Sequence, residues 1–200
     1  MLNVTIADYG VGNLHSLRRA LERCGANVEV TSDMRKVTEA ECIAFPGVGA
    51  FDKVMESILP EKDDILDRLR SGIPCLGICI GMQILMDGSD EGRLPGLGFI
   101  NGRVERLKAK QIPQMGWNTV MSDDPMFDGI DNRFFYFTHS YYGNPTERST
   151  IKGYCEYEGI DYPIFFRKGN FVGSQFHPEK SSRSGMRFLE NFIQFAEGAL

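Results

Sequence analysis

The sequence predicts an α/β fold with a mostly parallel central sheet flanked by helices and additional antiparallel strands in the C-terminal half. Three observations support this. Short apolar strands alternate with glycine loops and helical patterns over residues 1–90. The segment Pro74-Cys75-Leu76-Gly77-Ile78 is almost wholly apolar, as strands are when both faces of a sheet are covered. Beyond residue 99 strand patterns dominate.

Val4 and Ile6 alternate as in a strand, which breaks at Tyr9-Gly10-Val11-Gly12-Asn13. Leu14, Leu17, Leu21 and Cys24 then recur at helical spacing, and Gly25 supplies a stop. Val28-Glu29-Val30-Thr31 and Cys42-Ile43-Ala44-Phe45 read as the next strands, the latter ended by Pro46-Gly47-Val48-Gly49. Ile65, Leu66 and Leu69 mark a helix before the apolar strand at 74–78, and 82–86 is a helical stretch after it. Further strands are expected at 99–107, 116–121, 134–142, 151–157, 162–167 and 171–176, with Lys168-Gly169-Asn170 as a hairpin turn. Met186, Leu189, Phe192, Ile193 and Phe195 give a closing helix from Ser182 onward.

A chain of 200 residues suits one domain and is short for two, so residues 1–200 are expected to form a single domain. No window approaches the ~18 apolar residues that span a bilayer, and the N-terminus lacks the basic region of a signal peptide. A cytoplasmic protein is expected. A net charge of -5 gives no electrostatic reason to expect nucleic acid as the main ligand. Five cysteines, an odd number, fit reduced thiols, and without a C-x-x-C pair or clustered histidines no zinc spacing is present. No metal or cofactor is expected.

Gly77-Ile78-Cys79-Ile80-Gly81 has the pattern of the G-x-S-x-G nucleophile elbow with sulfur in place of hydroxyl. A sharp strand-to-helix turn crowds its backbone and needs small flanks. Helix N-terminal charge would favour a thiolate there. Taken alone, the pattern fits a packed cysteine equally well. Cys75, inside the strand, reads as core filler.

A cysteine nucleophile needs a base, and the base an orienting group. In Gln175-Phe176-His177-Pro178-Glu179, Pro178 ends the preceding strand near His177. Residues two apart in an extended segment face one side, which lets Glu179 bond the His177 ring. His139, among aromatics on a strand, is the rival base. Oxyanion donors are expected from the backbone N–H of Ile80 and from Pro46-Gly47-Val48-Gly49, where Val48 would present its N–H. The loops after Ile6, Phe45, Ile78 and Phe176 all leave strand ends, where ligands collect in open α/β sheets.

With these segments and Gln114-Met115-Gly116-Trp117-Asn118 together, the chain resembles the class I, triad-type glutamine amidotransferases, and among them the glutaminase subunits of imidazole glycerol phosphate synthase. The shared stretches are Asp8-Tyr9-Gly10-Val11-Gly12-Asn13-Leu14, Pro46-Gly47-Val48-Gly49, Gly77-Ile78-Cys79-Ile80-Gly81-Met82-Gln83, Gln114-Met115-Gly116-Trp117-Asn118 and Gln175-Phe176-His177-Pro178-Glu179-Lys180-Ser181. Gln114 occupies a position where the family also carries His. The resemblance implies a single-domain, flavodoxin-like amidotransferase fold and glutamine hydrolysis by Cys79, His177 and Glu179 through a glutamyl thioester. It implies that Gly49, Gln83, Ser140 and Tyr141 hold the glutamine. It also implies a heterodimer with a (β/α)8-barrel cyclase that consumes the ammonia in histidine biosynthesis; Lys180 and Ser181, just past the triad, are the expected rim contacts to that partner. Weak activity without the partner is expected, because the peptide at Val48 has glycine neighbours and can rest in another orientation. Two alternatives stand beside this reading: a paralogous glutaminase feeding another synthase, and a thiol-redox or binding subunit using Cys75 and Cys79.

Overall fold

The computed structural model describes residues 1–10, 14–47 and 49–200. In chain order the strands and helices are β1 (Asn3–Ala7), α1 (His15–Arg23), β2 (Asn27–Thr31), α2 (Met34–Thr38), β3 (Cys42–Phe45), α3 (Phe51–Ile58), α4 (Lys62–Arg70), β4 (Cys75–Ile78) and α5 (Ile80–Gln83). Then come β5 (Gly88–Ser89), β6 (Gly102–Arg106), β7 (Gln114–Thr119), β8 (Met121–Ser122), β9 (Phe134–His139), β10 (Tyr141–Pro145), β11 (Ile151–Tyr157), β12 (Ile160–Lys168), β13 (Phe171–Ser174) and α6 (Ser182–Ala199).

One eight-stranded sheet runs β2-β1-β3-β4-β13-β12-β11-β8. Its first five strands pair in parallel and its last three are antiparallel, joined through the β12–β13 hairpin at Gly169. Two apolar layers cover it. Leu17 and Leu21 of α1 and Phe188 and Phe192 of α6 pack on one face with Val4, Ile6, Leu76 and Ile78. On the other, Val37, Val54, Ile58, Ile65 and Leu69 from α2, α3 and α4 pack with Ile43, Phe45 and Cys75. This double burial is what the apolar run at β4 requires. Among the described residues, no helix is long and apolar enough to cross a membrane.

Several expected elements differ. The helix expected over 82–86 is instead the single turn α5, because the next three carbonyls are claimed from outside: Ile84 O by Leu97 N–H, Leu85 O by Ile100 N–H and Met86 O by Gly98 N–H. The same bonds hold 99–101 outside β6. The strand expected over 134–142 is two, for the chain changes partners at Ser140, from β7 beneath β9 to β6 beneath β10. The strand expected at 116–121 begins earlier, at Gln114 paired with His139, and breaks at Val120, whose N–H turns to Arg133 O. β13 stops at Ser174, two residues short of the expected end.

Neighbouring β3, β4 and β13 bring three strand exits side by side, with Phe45 and Gly173 both in register with Gly77. The fourth expected exit, after β1, leads into Val11, Gly12 and Asn13, outside the described residues.

Candidate active site

Cys79 follows β4 directly and carries φ 49°, ψ -111°, a left-handed conformation that strains a residue with a side chain. It is held by its N–H to Ser174 O at 2.6 Å and its carbonyl to Gln83 N–H at 3.0 Å. The flanking glycines are steric necessities. A Cβ on Gly81 would lie 2.0 Å from the Phe45 carbonyl oxygen, and one on Gly77 2.9 Å from Met82 Cα. The elbow is therefore present, although one turn of helix carries little of a macrodipole.

His177 and Glu179 sit behind the cysteine. His177 Nδ1 and Glu179 Oε1 are 2.8 Å apart, both side chains being almost fully buried. The contact forms by another route than an extended segment: residues Pro178–Lys180 make a 3-10 turn that folds Glu179 back under the ring. The segment is pinned to β9 by a closed set of bonds. His177 N–H donates to Tyr136 O, Tyr136 N–H donates to Ser181 Oγ, and Ser181 Oγ–H donates to His177 O, at 2.9, 2.9 and 2.6 Å. Ser181 is thus wholly buried and not a rim residue, whereas Lys180 is exposed, its Nζ 6.0 Å from the Tyr136 ring.

Burial by itself would depress the His177 imidazole; Cys79 and Glu179 outweigh it and raise the group to about 10. A Cβ on Gly47 would lie 2.7 Å from His177 Cε1 and 3.1 Å from Cys79 Cβ, so the loop after β3 closes tightly over the pair.

Cys79, only 8% exposed, opens into a cleft of about 280 Å³. Ile80, Gly49, Gln83, Ser140 and Tyr141 line that cleft, so five of the residues singled out in the sequence meet there. Val48 lies outside the described residues. The volume suits one small molecule rather than a nucleotide. Among the described residues, no three His, Cys, Asp or Glu side chains gather as a metal site would require.

Three residues without an assigned role also belong here. Glu91 lines the cleft, its Oε2 accepting from Phe51 N–H at 3.1 Å; burial holds its carboxyl above the ordinary value, against the pull of that N–H. Gln175 is wholly buried and reaches the cysteine sulfur, its Nε2 3.3 Å from Sγ. Gln114 is buried against His139.

His139 is not placed as a base for Cys79. Its Nδ1 lies 2.8 Å from Tyr141 O and its Nε2 3.1 Å from Gln114 Oε1. Burial pushes it down to about 4. A neutral ring has one N–H, and the Tyr141 carbonyl takes it. Nε2 is then an acceptor, which is satisfied when the Gln114 carboxamide is turned to present its nitrogen to the ring and its oxygen to the Cys155 thiol. Cys75, for its part, packs in the apolar layer on the opposite face of the sheet from the one Cys79 joins, and both are free thiols.

The sequence profile of the family described as glutamine amidotransferase class-I matches residues 5–195. The chain belongs to that family. Imidazole glycerol phosphate synthase subunit HisH of Methanosarcina acetivorans is 44% identical over 97% of this chain and 99% of its own. The subunit of the same name from Moorella thermoacetica is 43% identical over 100% and 98%. Among solved structures, PurLQS from Thermotoga maritima superposes with a TM-score of 0.73 at 17% identity, covering 98% of each chain, a likeness of fold. The class I amidotransferase fold expected from the sequence is therefore the one present, and the chain is a glutamine amidotransferase.

Proposed function

We propose that this amidotransferase is the glutaminase subunit of an imidazole glycerol phosphate synthase. It hydrolyses glutamine to glutamate and ammonia, and ammonia passes to a (β/α)8-barrel cyclase in a cytoplasmic heterodimer. The observation that carries the chemistry is Cys79 at a strained elbow, facing a one-molecule cleft in front and the buried His177–Glu179 pair behind. The relatives' shared name and full-length similarity support the choice of synthase.

In this mechanism the Cys79 proton moves to His177 Nε2, and Sγ attacks the side-chain carbonyl carbon of glutamine. The oxyanion accepts the Ile80 N–H, one of the leading amides of α5 that helix geometry leaves without an intrahelical acceptor. Val48 N–H, in the glycine loop after β3, is the second donor expected from the sequence. The imidazolium then protonates the departing nitrogen, which leaves as ammonia, and the glutamyl thioester remains. His177 next takes a proton from water, which attacks the thioester and releases glutamate and the thiol.

The raised His177 group serves both halves. Part of what holds its proton is Cys79 itself. Once sulfur is a neutral thioester that support is gone, and the ring, having handed its proton to the leaving nitrogen, is the neutral base the second half needs. Glu179 keeps the ring oriented through Nδ1. Gly49, Gln83, Ser140 and Tyr141 hold the glutamine, and Glu91 is the charge partner for its α-ammonium.

The partner face is the outer side of β7. Met115 and Trp117 are 67% and 50% exposed there, and Trp117 stacks edge-on against Tyr136, next to Lys180. Glutamine hydrolysis measured with and without the cyclase barrel tests the reading: activity should depend on the barrel and vanish in Cys79→Ala. Activity surviving in Cys79→Ala, or a glutamine-like electrophile labelling another cysteine, would refute it.

A further inference from the structure

Gln175 Nε2 lies 3.3 Å from Cys79 Sγ, and the polarity of that contact is dictated from two side chains away. The main-chain carbonyl of Tyr141 can only accept. Gln83 therefore turns its Nε2 toward it, at 3.0 Å. The second hydrogen on the same nitrogen goes to Gln175, also at 3.0 Å, which must answer with Oε1. What remains to face the sulfur is the Gln175 N–H. Both carboxamides are buried, at 3% and 0% exposure, so water does not compete for these bonds.

We propose that Gln175 is a catalytic residue, whose amide N–H stabilises Cys79 Sγ as the anion before attack and yields it as the S–C bond forms. The proposal rests on Cys79 being the nucleophile. A thiol is a weak acceptor and a thiolate a strong one, so this bond tightens when the Cys79 proton passes to His177. Unlike a lysine or a second histidine, a carboxamide donates without competing for that proton. Gln83 lines the cleft as well, so the chain of amides ending on the sulfur begins at the substrate-facing surface.

The test is the pH midpoint of Cys79 alkylation by iodoacetamide, followed peptide by peptide on the full chain without glutamine. Gln175→Met keeps length and volume but has no N–H. It should raise the midpoint by about 1 unit, seen below both midpoints as roughly tenfold slower alkylation. Gln83→Met leaves the donor but removes its orienting bond, and should give a smaller rise in the same direction. Cys42 and Cys75, wholly buried, report folding, because their alkylation marks a disordered variant. Should Gln175→Met fail that check, Gln83→Met carries the test. An unmoved midpoint in a folded variant overturns the role of Gln175 and leaves Cys79 as nucleophile, whereas a wild-type Cys79 with no selective, pH-dependent alkylation overturns both.

Discussion

Replacing Gly47 with alanine separates the geometry of the site from the chemistry of its side chains, because no triad residue is altered. The added methyl would meet His177 Cε1 at 2.7 Å, Ile78 Cγ2 at 2.9 Å and Cys79 Cβ at 3.1 Å. These neighbours cannot all give way. The imidazole is tied to Glu179 at 2.8 Å and its main chain to Tyr136, Ile78 is buried, and Cys79 is fixed through Ser174. Ordinary carbon contact begins near 3.4 Å, so His177 or the loop after β3 must shift by at least about 0.7 Å. Overpacking of this kind costs about 1–3 kcal/mol of stability. A misplacement approaching 1 Å between nucleophile and base costs about 100-fold in rate.

The expected result is a folded protein, slightly less stable in urea, with kcat/KM for glutamine down about 100-fold in the presence of the cyclase barrel. Iodoacetamide should still reach Cys79, since thiol chemistry with a small electrophile does not need the base held in place for a leaving group. A variant within about threefold of wild type would show that the loop relaxes freely, and the rigid placement of His177 argued from these distances would be wrong.

Gly81→Ala should be worse and of a different kind: its Cβ would overlap a main-chain oxygen at 2.0 Å, so soluble yield and melting temperature should fall before any assay of activity. Glu91→Gln should raise KM for glutamine about tenfold or more with kcat nearly unchanged, by loss of a charge-assisted contact with the α-ammonium; unchanged KM would remove Glu91 from the binding site. His139 carries a pH signature. Its folded value near 4 lies below the unfolded 6.5, so its contribution to stability is full above 6.5 and is lost as pH falls toward 4, up to about 3 kcal/mol. The urea midpoint of His139→Leu should therefore fall less than that of wild type between those values, and parallel curves would refute the neutral assignment. Trp117→Ser should weaken cyclase binding while leaving melting temperature within a degree or two, as a half-exposed ring on a β7 face permits.

What could be read from the sequence was whatever backbone sterics force into composition. The elbow is legible because Gly77 and Gly81 have no room for a Cβ, and the apolar β4 because it is covered on both faces. The end of β13 is legible to within two residues because Pro178 cannot join a ladder. α3 is legible too, in Phe51, Val54, Met55 and Ile58 at helical spacing. Its neighbour Glu91 was not legible, since it is placed by a bond to Phe51 N–H across 40 residues and nothing local marks it.

Gln175 lies between these cases. It is a buried amide one residue beyond β13, its N–H still bonded to Ile164 O, two residues before His177, and where such backbone stays extended residues two apart share a face. Once His177 is assigned to the site, parity alone carries Gln175 there and sends Phe176 the other way, into the cluster with Phe135 and Phe188. The same parity fails for Glu179, where the chain has left the strand and a 3-10 turn, not alternation, makes the contact. Side-chain parity is thus a guide to function only while the main chain still bonds to a neighbouring strand, as Gln175 does to Ile164 and His177 to Tyr136. In this chain that limit falls between His177, whose N–H still bonds to Tyr136 O, and Glu179, whose contact with the ring is made by a 3-10 turn.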